Sequence, residues 1–140
     1  MTESPLSDKP ERTGVAKALG IEYGGFGGGK ADVTCKVRDD HCNKGGVAHG
    51  ALFAAMLDSA LGGALVSTLK KEEWCATAQL SISFLEAGMV GAELVANGRV
   101  VRRGKGVAHL AGEIVDVNGI VHATATGTWA IFATKPSKFS

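Results

Sequence analysis

The chain has 140 residues, fifteen basic against fourteen acidic side chains for a formal charge of +1, and 45% hydrophobic residues. That length suits one folded unit with a real core, because a chain of this size buries roughly two thirds of the surface its unfolded form exposes. The near-neutral balance lacks the one-signed excess expected of a nucleic-acid binder or of a chain held on anionic lipid, which leaves a small molecule or another protein as the expected partner.

The opening MTESPLSDKPERTG is polar and has no apolar stretch of the secretory kind. It reads as a flexible tail over residues 1–13 running into a short helix near Val15 to Leu19, with residues 14–140 forming one domain. Cys35, Cys42 and Cys75 are an odd count without CxxC spacing, which argues against a disulfide framework and fits a reducing, cytoplasmic setting. Residues 24–31, GGFGGGKA, match most of a phosphate-binding loop, but Ala31 stands where that loop needs a hydroxyl, and ADVTCKV continues as a strand rather than a helix. A flexible glycine loop followed by a strand over Lys30 to Val37 is the expectation. Cys35, His41, Cys42 and His49 match no structural zinc spacing, so no metal is expected. His41 and Cys42 are neighbours in an extended segment, where their side chains diverge and cannot share a proton.

Between His49 and Lys70 the only ionisable side chain is Asp58, set in the apolar, alanine-rich stretch Gly50 to Leu69. A membrane span would put Asp58 near the bilayer centre, and the sequence beyond it alternates like sheet; a helix buried all round by its own protein fits better. Burying an unpaired carboxylate costs several kcal/mol, so Asp58 needs a partner or a task.

Past residue 75 the periodicity becomes twofold. In TAQLSISFLE, Leu80, Ile82 and Phe84 point one way, while Thr77, Gln79, Ser81 and Ser83 point the other. Further strands are expected at about Ala92 to Arg103, Val107 to Val117 and Ile120 to Ala133, joined by glycine-containing connections short enough for antiparallel hairpins. His109 and His122 fall in strands and read as structural. The fold class is α+β: an antiparallel sheet of five to six strands wrapped around one long central helix.

The segment HCNKGGVAHGALFAAMLD is the candidate site. It supplies an amide at Asn43, a histidine and glycine at a helix start, and Asp58 eight residues on. First-turn N–H groups have no intrahelical partner and sit at the positive end of the helix dipole, so Gly50 can hold an oxygen that gains negative charge. An ordinary helix start, with Asp58 tied to a buried donor, is the other reading of the same residues.

The pattern HxNxxGxxHGxxxxxxxD, formed by His41, Asn43, Gly46, His49, Gly50 and Asp58, resembles the signature of the hot-dog acyl-CoA thioesterases of the phenylacetate-degradation type. The resemblance extends over about residues 30 to 133. It implies that the Gly50 N–H and the Asn43 amide polarise a thioester carbonyl, and that Asp58 activates water or attacks directly. It also implies that a hydroxyl near Thr77 helps to place the water and that His49 shapes the site. Ala51, where a second glycine is usual, and Glu86-Ala87, where a proline often follows the strand, depart from the pattern and bear on acyl preference and pantetheine placement.

Helix geometry adds a condition. Asp58 lies about 12 Å along the axis from Gly50, whose N–H points out of the opposite end, so a carbonyl held there needs the acid of a second copy. Two antiparallel helices would create two shared sites in a homodimer. The resemblance implies the same dimer, often paired again into a homotetramer. Arg102, Arg103 and Lys105 in the hairpin RRGKG are candidates for the phosphates of coenzyme A, or else a solvated basic turn. The expected activity is hydrolysis of a small aromatic or short-to-medium-chain acyl-CoA, with coenzyme A entering only as part of the substrate and no separate cofactor. Two alternatives stand beside it: a non-catalytic acyl-CoA-binding hot-dog module, and a hot-dog hydratase or dehydratase.

Overall fold

The structure, a computed structural model, describes residues 14–139; the expected tail over residues 1–13 lies outside them. A short helix α1 (Gly14–Leu19) leads into a hairpin of β1 (Glu22–Gly27) and β2 (Lys30–Lys36). A 3-10 turn (Asp39–His41) and a loop then precede the long helix α2 (Gly50–Val66). Four strands follow: β3 (Trp74–Phe84), β4 (Glu93–Arg103), β5 (Val107–Asp116) and β6 (Val121–Phe132). The six strands form one sheet in the order β1-β2-β4-β5-β6-β3, every pairing antiparallel. This is a hot-dog fold, with α2 as the filling and β1 and β3 as the two edges.

The core lies between α2 and the concave face of the sheet. Met56, Leu57, Leu61 and Leu65 are fully buried against Val33, Leu94, Leu110 and Ile114, each large apolar side chain contributing about 1.5–3 kcal/mol. Helix and sheet approach closely enough that a methyl group added at Gly98 would collide with the Ala60 carbonyl and one at Gly112 with the Leu61 side chain.

Three expectations are corrected. The helix is not buried all round: Ala51 and Asp58 are exposed and Ala54, Ala55, Ser59 and Gly62 half-buried, because α2 packs mainly on β2 and β4 and less on the edge strand β3. At 17 residues, α2 is also too short and too polar at that strip to cross a membrane, and no helix among the described residues qualifies. The glycine stretch is no loop but most of a hairpin, in which Gly28 and Gly29 make the turn at φ +62° and +80°, the signs a two-residue hairpin turn requires. Asp32 fastens β1 there by accepting the Gly25 N–H at 2.6 Å.

The third correction matters most for the site. The pairing of β3 with β6 slips by one residue between Thr77 and Gln79, a bulge at Ala78. A bulge reverses the alternation of the strand beyond it. Thr77 therefore faces α2, the same side as Leu80, Ile82 and Phe84 rather than the opposite one.

Candidate active site

Asp58 sits halfway along the open strip of α2, and the bulge carries the Thr77 side chain to it. The Thr77 hydroxyl donates to Asp58 Oδ1 at 2.7 Å. Both residues are exposed in the single chain, so the carboxylate is neither buried nor quenched by internal donors. Among the described residues the Thr77 hydroxyl is the one side-chain donor on this carboxylate, and an exposed carboxylate so held can accept a proton. The charge is felt locally: burial, and then the negative charge of Asp58, push the half-buried Cys75 thiol up to about 11.

At the other end of the segment, His49 is the N-cap of α2. Its Nδ1 accepts the Ala51 N–H at 2.8 Å, which satisfies one orphan donor of the first turn. The Leu52 N–H returns to the His49 carbonyl at 2.9 Å. Gly50 N–H has no acceptor among the described residues and points out of the helix end. The preceding loop is tied down from both sides, with His49 N–H donating to the His41 carbonyl and Ala48 N–H to the Gly88 carbonyl, both at 2.8 Å. Asn43 turns this loop: its Oδ1 accepts the Gly45 N–H at 2.9 Å, which leaves its amide NH₂ as the free donor of an exposed side chain.

His41, part of the same sequence pattern, is structural. It is buried, with Nδ1 accepting the Arg38 N–H at 2.9 Å and Nε2 at 2.7 Å from the Leu19 carbonyl. Its ring is fully used and cannot activate Cys42. His109 meets the Thr128 hydroxyl through Nδ1 at 3.2 Å. His122 is only half satisfied: Nε2 pairs with Asp116 Oδ2 at 2.9 Å, while its buried Nδ1 has no partner.

Sequence reasoning missed the pocket at the helix start. A cavity of about 260 Å³ is lined by Ala48, Gly50, Phe53, Phe84 and the stretch Leu85–Gly88. Phe53 and Phe84 stack with ring centroids 6.1 Å apart, and a methyl added at Gly50 would lie 3.2 Å from Phe84 Cε1. Phe84 was legible only as an apolar strand position; its place beside Gly50 follows from β3 running antiparallel to α2.

The basic hairpin lies at the far end of the molecule from Gly50. Arg103 is held by Glu73 at 2.5 Å and donates to the Gly104 carbonyl at 3.1 Å, whereas Arg102 and Lys105 are exposed. Glu73 also accepts the Lys70 N–H at 2.8 Å; burial alone would raise its carboxyl, but these donors outweigh it and hold it below the ordinary value. Structure thus brings Asp58 to Thr77 and His49 to Gly50, and separates both pairs from the basic turn.

The thioesterase superfamily model matches residues 45–123, from the loop before α2 into β6. A Saccharolobus solfataricus protein, provisionally named an esterase, is 30% identical over 121 residues, covering 86% of this chain and 85% of its own. The PaaI protein of the Escherichia coli phenylacetic acid degradation operon superposes with a TM-score of 0.75 at 29% identity, over 82% of this chain and 86% of that one. A Streptococcus mutans protein solved with acetyl-CoA bound gives a TM-score of 0.76 at 27% identity, over 83% and 91% of the two chains.

Proposed function

The chain belongs to the thioesterase superfamily, as a hot-dog protein of the phenylacetate-degradation type, and from that premise we propose that it hydrolyses the thioester of an acyl-CoA carrying a small aromatic or short-to-medium-chain acyl group. The observation that carries this reading is the Thr77 hydroxyl donating at 2.7 Å to an otherwise uncommitted Asp58 carboxylate. A structural aspartate would be enclosed by donors; this one is oriented and left open.

In the proposed reaction the Gly50 N–H and the Asn43 amide hold the carbonyl oxygen as it gains negative charge. Asp58 takes a proton from a water that attacks the carbonyl carbon, and Thr77 keeps the carboxylate aimed. A C–O bond forms, the C–S bond breaks with its electron pair leaving on sulfur, and the proton taken by Asp58 returns to the thiolate. His49 holds the first turn of α2 in register for Gly50, and the stacked Phe53 and Phe84 offer an apolar wall to the acyl group.

Gly50 and Asp58 of one chain stand about 12 Å apart at 1.5 Å per residue, so the working unit is a homodimer in which each site takes Gly50 and Asn43 from one protomer and Asp58 and Thr77 from its partner. The open strip of α2 beside the unpaired edge of β3 is the surface that favours this pairing. Pairing of dimers into a tetramer is carried over from the family resemblance.

Thiol release from a panel of aromatic and aliphatic acyl-CoAs tests the proposal. Cleavage of at least one member with a kcat/KM in the usual enzyme range of about 10⁴ M⁻¹s⁻¹ or more is expected. Binding of acyl-CoA without any thiol release would make the protein a binding module instead.

A further inference from the structure

The two donors assigned to the carbonyl oxygen stand at opposite ends of one loop, and both hang from His41. Asn43 follows it by two residues, and the His41 carbonyl accepts the N–H of His49, the residue before Gly50, at 2.8 Å. Between them the loop closes on itself, the Asn43 N–H donating to the Val47 carbonyl at 2.9 Å and the Gly46 N–H to the Asn43 carbonyl at 3.0 Å. The Ala48–Gly88 bond holds one side of this loop to the fold; the His41 ring, 4% exposed, holds the other. Because a backbone N–H only donates, the 2.9 Å contact with Arg38 makes Nδ1 an acceptor. The neutral ring then carries its proton on Nε2 and donates to the Leu19 carbonyl at 2.7 Å, a bond that reaches back 22 residues. Leu19 is a firm anchor. Ile21, two residues on, is fully buried, and its N–H donates to the Ala16 carbonyl at 2.9 Å.

We propose that His41 is a positioning residue for thioester hydrolysis: its Nε2 bond to Leu19 sets the separation and aim of the Gly50 N–H and the Asn43 amide without touching substrate. The inference rests on the hydrolase reading and adds a residue to it. Donors that stabilise a developing oxyanion act only while they are held in place, and a displacement of about 1 Å can cost on the order of a hundredfold in rate. The Leu19 bond is the one that matters here. The Arg38 bond closes a turn of three residues and ties the loop to nothing outside that turn.

Three substitutions separate the two bonds. His41→Gln keeps a donor long enough for the Leu19 carbonyl, His41→Asn keeps an acceptor for the Arg38 N–H but falls short of Leu19, and His41→Phe keeps the ring volume and loses both. Thiol release is measured well below the Tm of each variant. Expected is a kcat about tenfold lower in His41→Asn and His41→Phe at unchanged KM, with His41→Gln within about threefold of wild type. Hydrogen exchange of the His49 amide, bonded to the His41 carbonyl, reads the same link without turnover, and faster exchange in His41→Asn than in His41→Gln is expected. Equal kcat in these two variants, or a loss confined to KM, overturns the assignment, and the comparison stands even where His41→Phe does not fold. Wild-type protein that releases no thiol sinks the hydrolase reading, and the exchange comparison then decides the Leu19 anchor by itself.

Discussion

A carboxylate held by a single hydroxyl on an open helix face has a sharply testable job. Asp58→Asn keeps the shape and the Thr77 bond while removing the base, so turnover should fall by about 10²–10⁴-fold with coenzyme A binding and Tm intact. Thr77→Val removes only the orienting donor; a loss of about tenfold, seen in kcat more than in KM and restored by Thr77→Ser, would identify it as a positioning residue. Steady-state thiol release on each variant checks both, and a fully active Asp58→Asn protein would take Asp58 out of the chemistry. A different residue governs acid stability. The hydrogen bond from His122, then the Ile120 and Asn118 N–H groups, hold the Asp116 carboxyl below its ordinary value. A depressed carboxylate adds stability above its unfolded-state pKa, and that stability disappears as pH falls through the lower folded value. Asp116→Asn should therefore lower Tm at pH 7 and converge with wild type below the ordinary carboxylate range, as thermal unfolding across pH would show.

Elements were legible in the sequence to the extent that their periodicity was clean. The starts and ends of β4, β5 and β6 fall within about a residue of expectation because alternating side chains and glycine turns punctuate them. Two elements escaped for physical reasons. Strand β1 is EYGGFG, and glycine contributes no side chain to a pleated surface, so nothing in its pattern speaks for a strand. The bulge at Ala78 is set by the pairing of β3 with β6, a long-range fact, and its consequence was the inversion of Thr77 from the outer face to the site. Asp58 was conspicuous as a lone charge, but its exposure depended on how far the sheet wraps α2, which composition does not determine. The close approach of sheet to helix gives the element-scale prediction. A Cβ at Gly98 strikes the Ala60 backbone, whereas one at Gly106 meets nothing within 4 Å. Gly98→Ala should cost about 1–3 kcal/mol and Gly106→Ala stay within about 0.5 kcal/mol of wild type, compared by denaturant unfolding.

At the scale of the whole molecule, the decisive constraint is that one chain cannot bring its own carboxylate to its own helix start. The rise of an α-helix made that legible from the spacing of Gly50 and Asp58 alone; the surface available for pairing was not legible until β3 emerged as an edge strand with α2 open beside it. A shared site has a stoichiometric signature that no single-chain site can imitate. Asp58→Asn chains keep an intact Gly50, and Gly50→Val chains keep an intact Asp58, so in the proposed dimer each homodimer would lack one half of both sites. In a mixed dimer one site regains both groups and the other loses both. Random reassembly of equal amounts makes half the dimers mixed, each with half its sites intact, so about a quarter of wild-type activity should return from two nearly inactive proteins. Native mass spectrometry of differently tagged chains verifies that mixing occurred. Mixed dimers without recovered thiol release would overturn the shared site, because a site built within one chain stays dead whichever partner it is given.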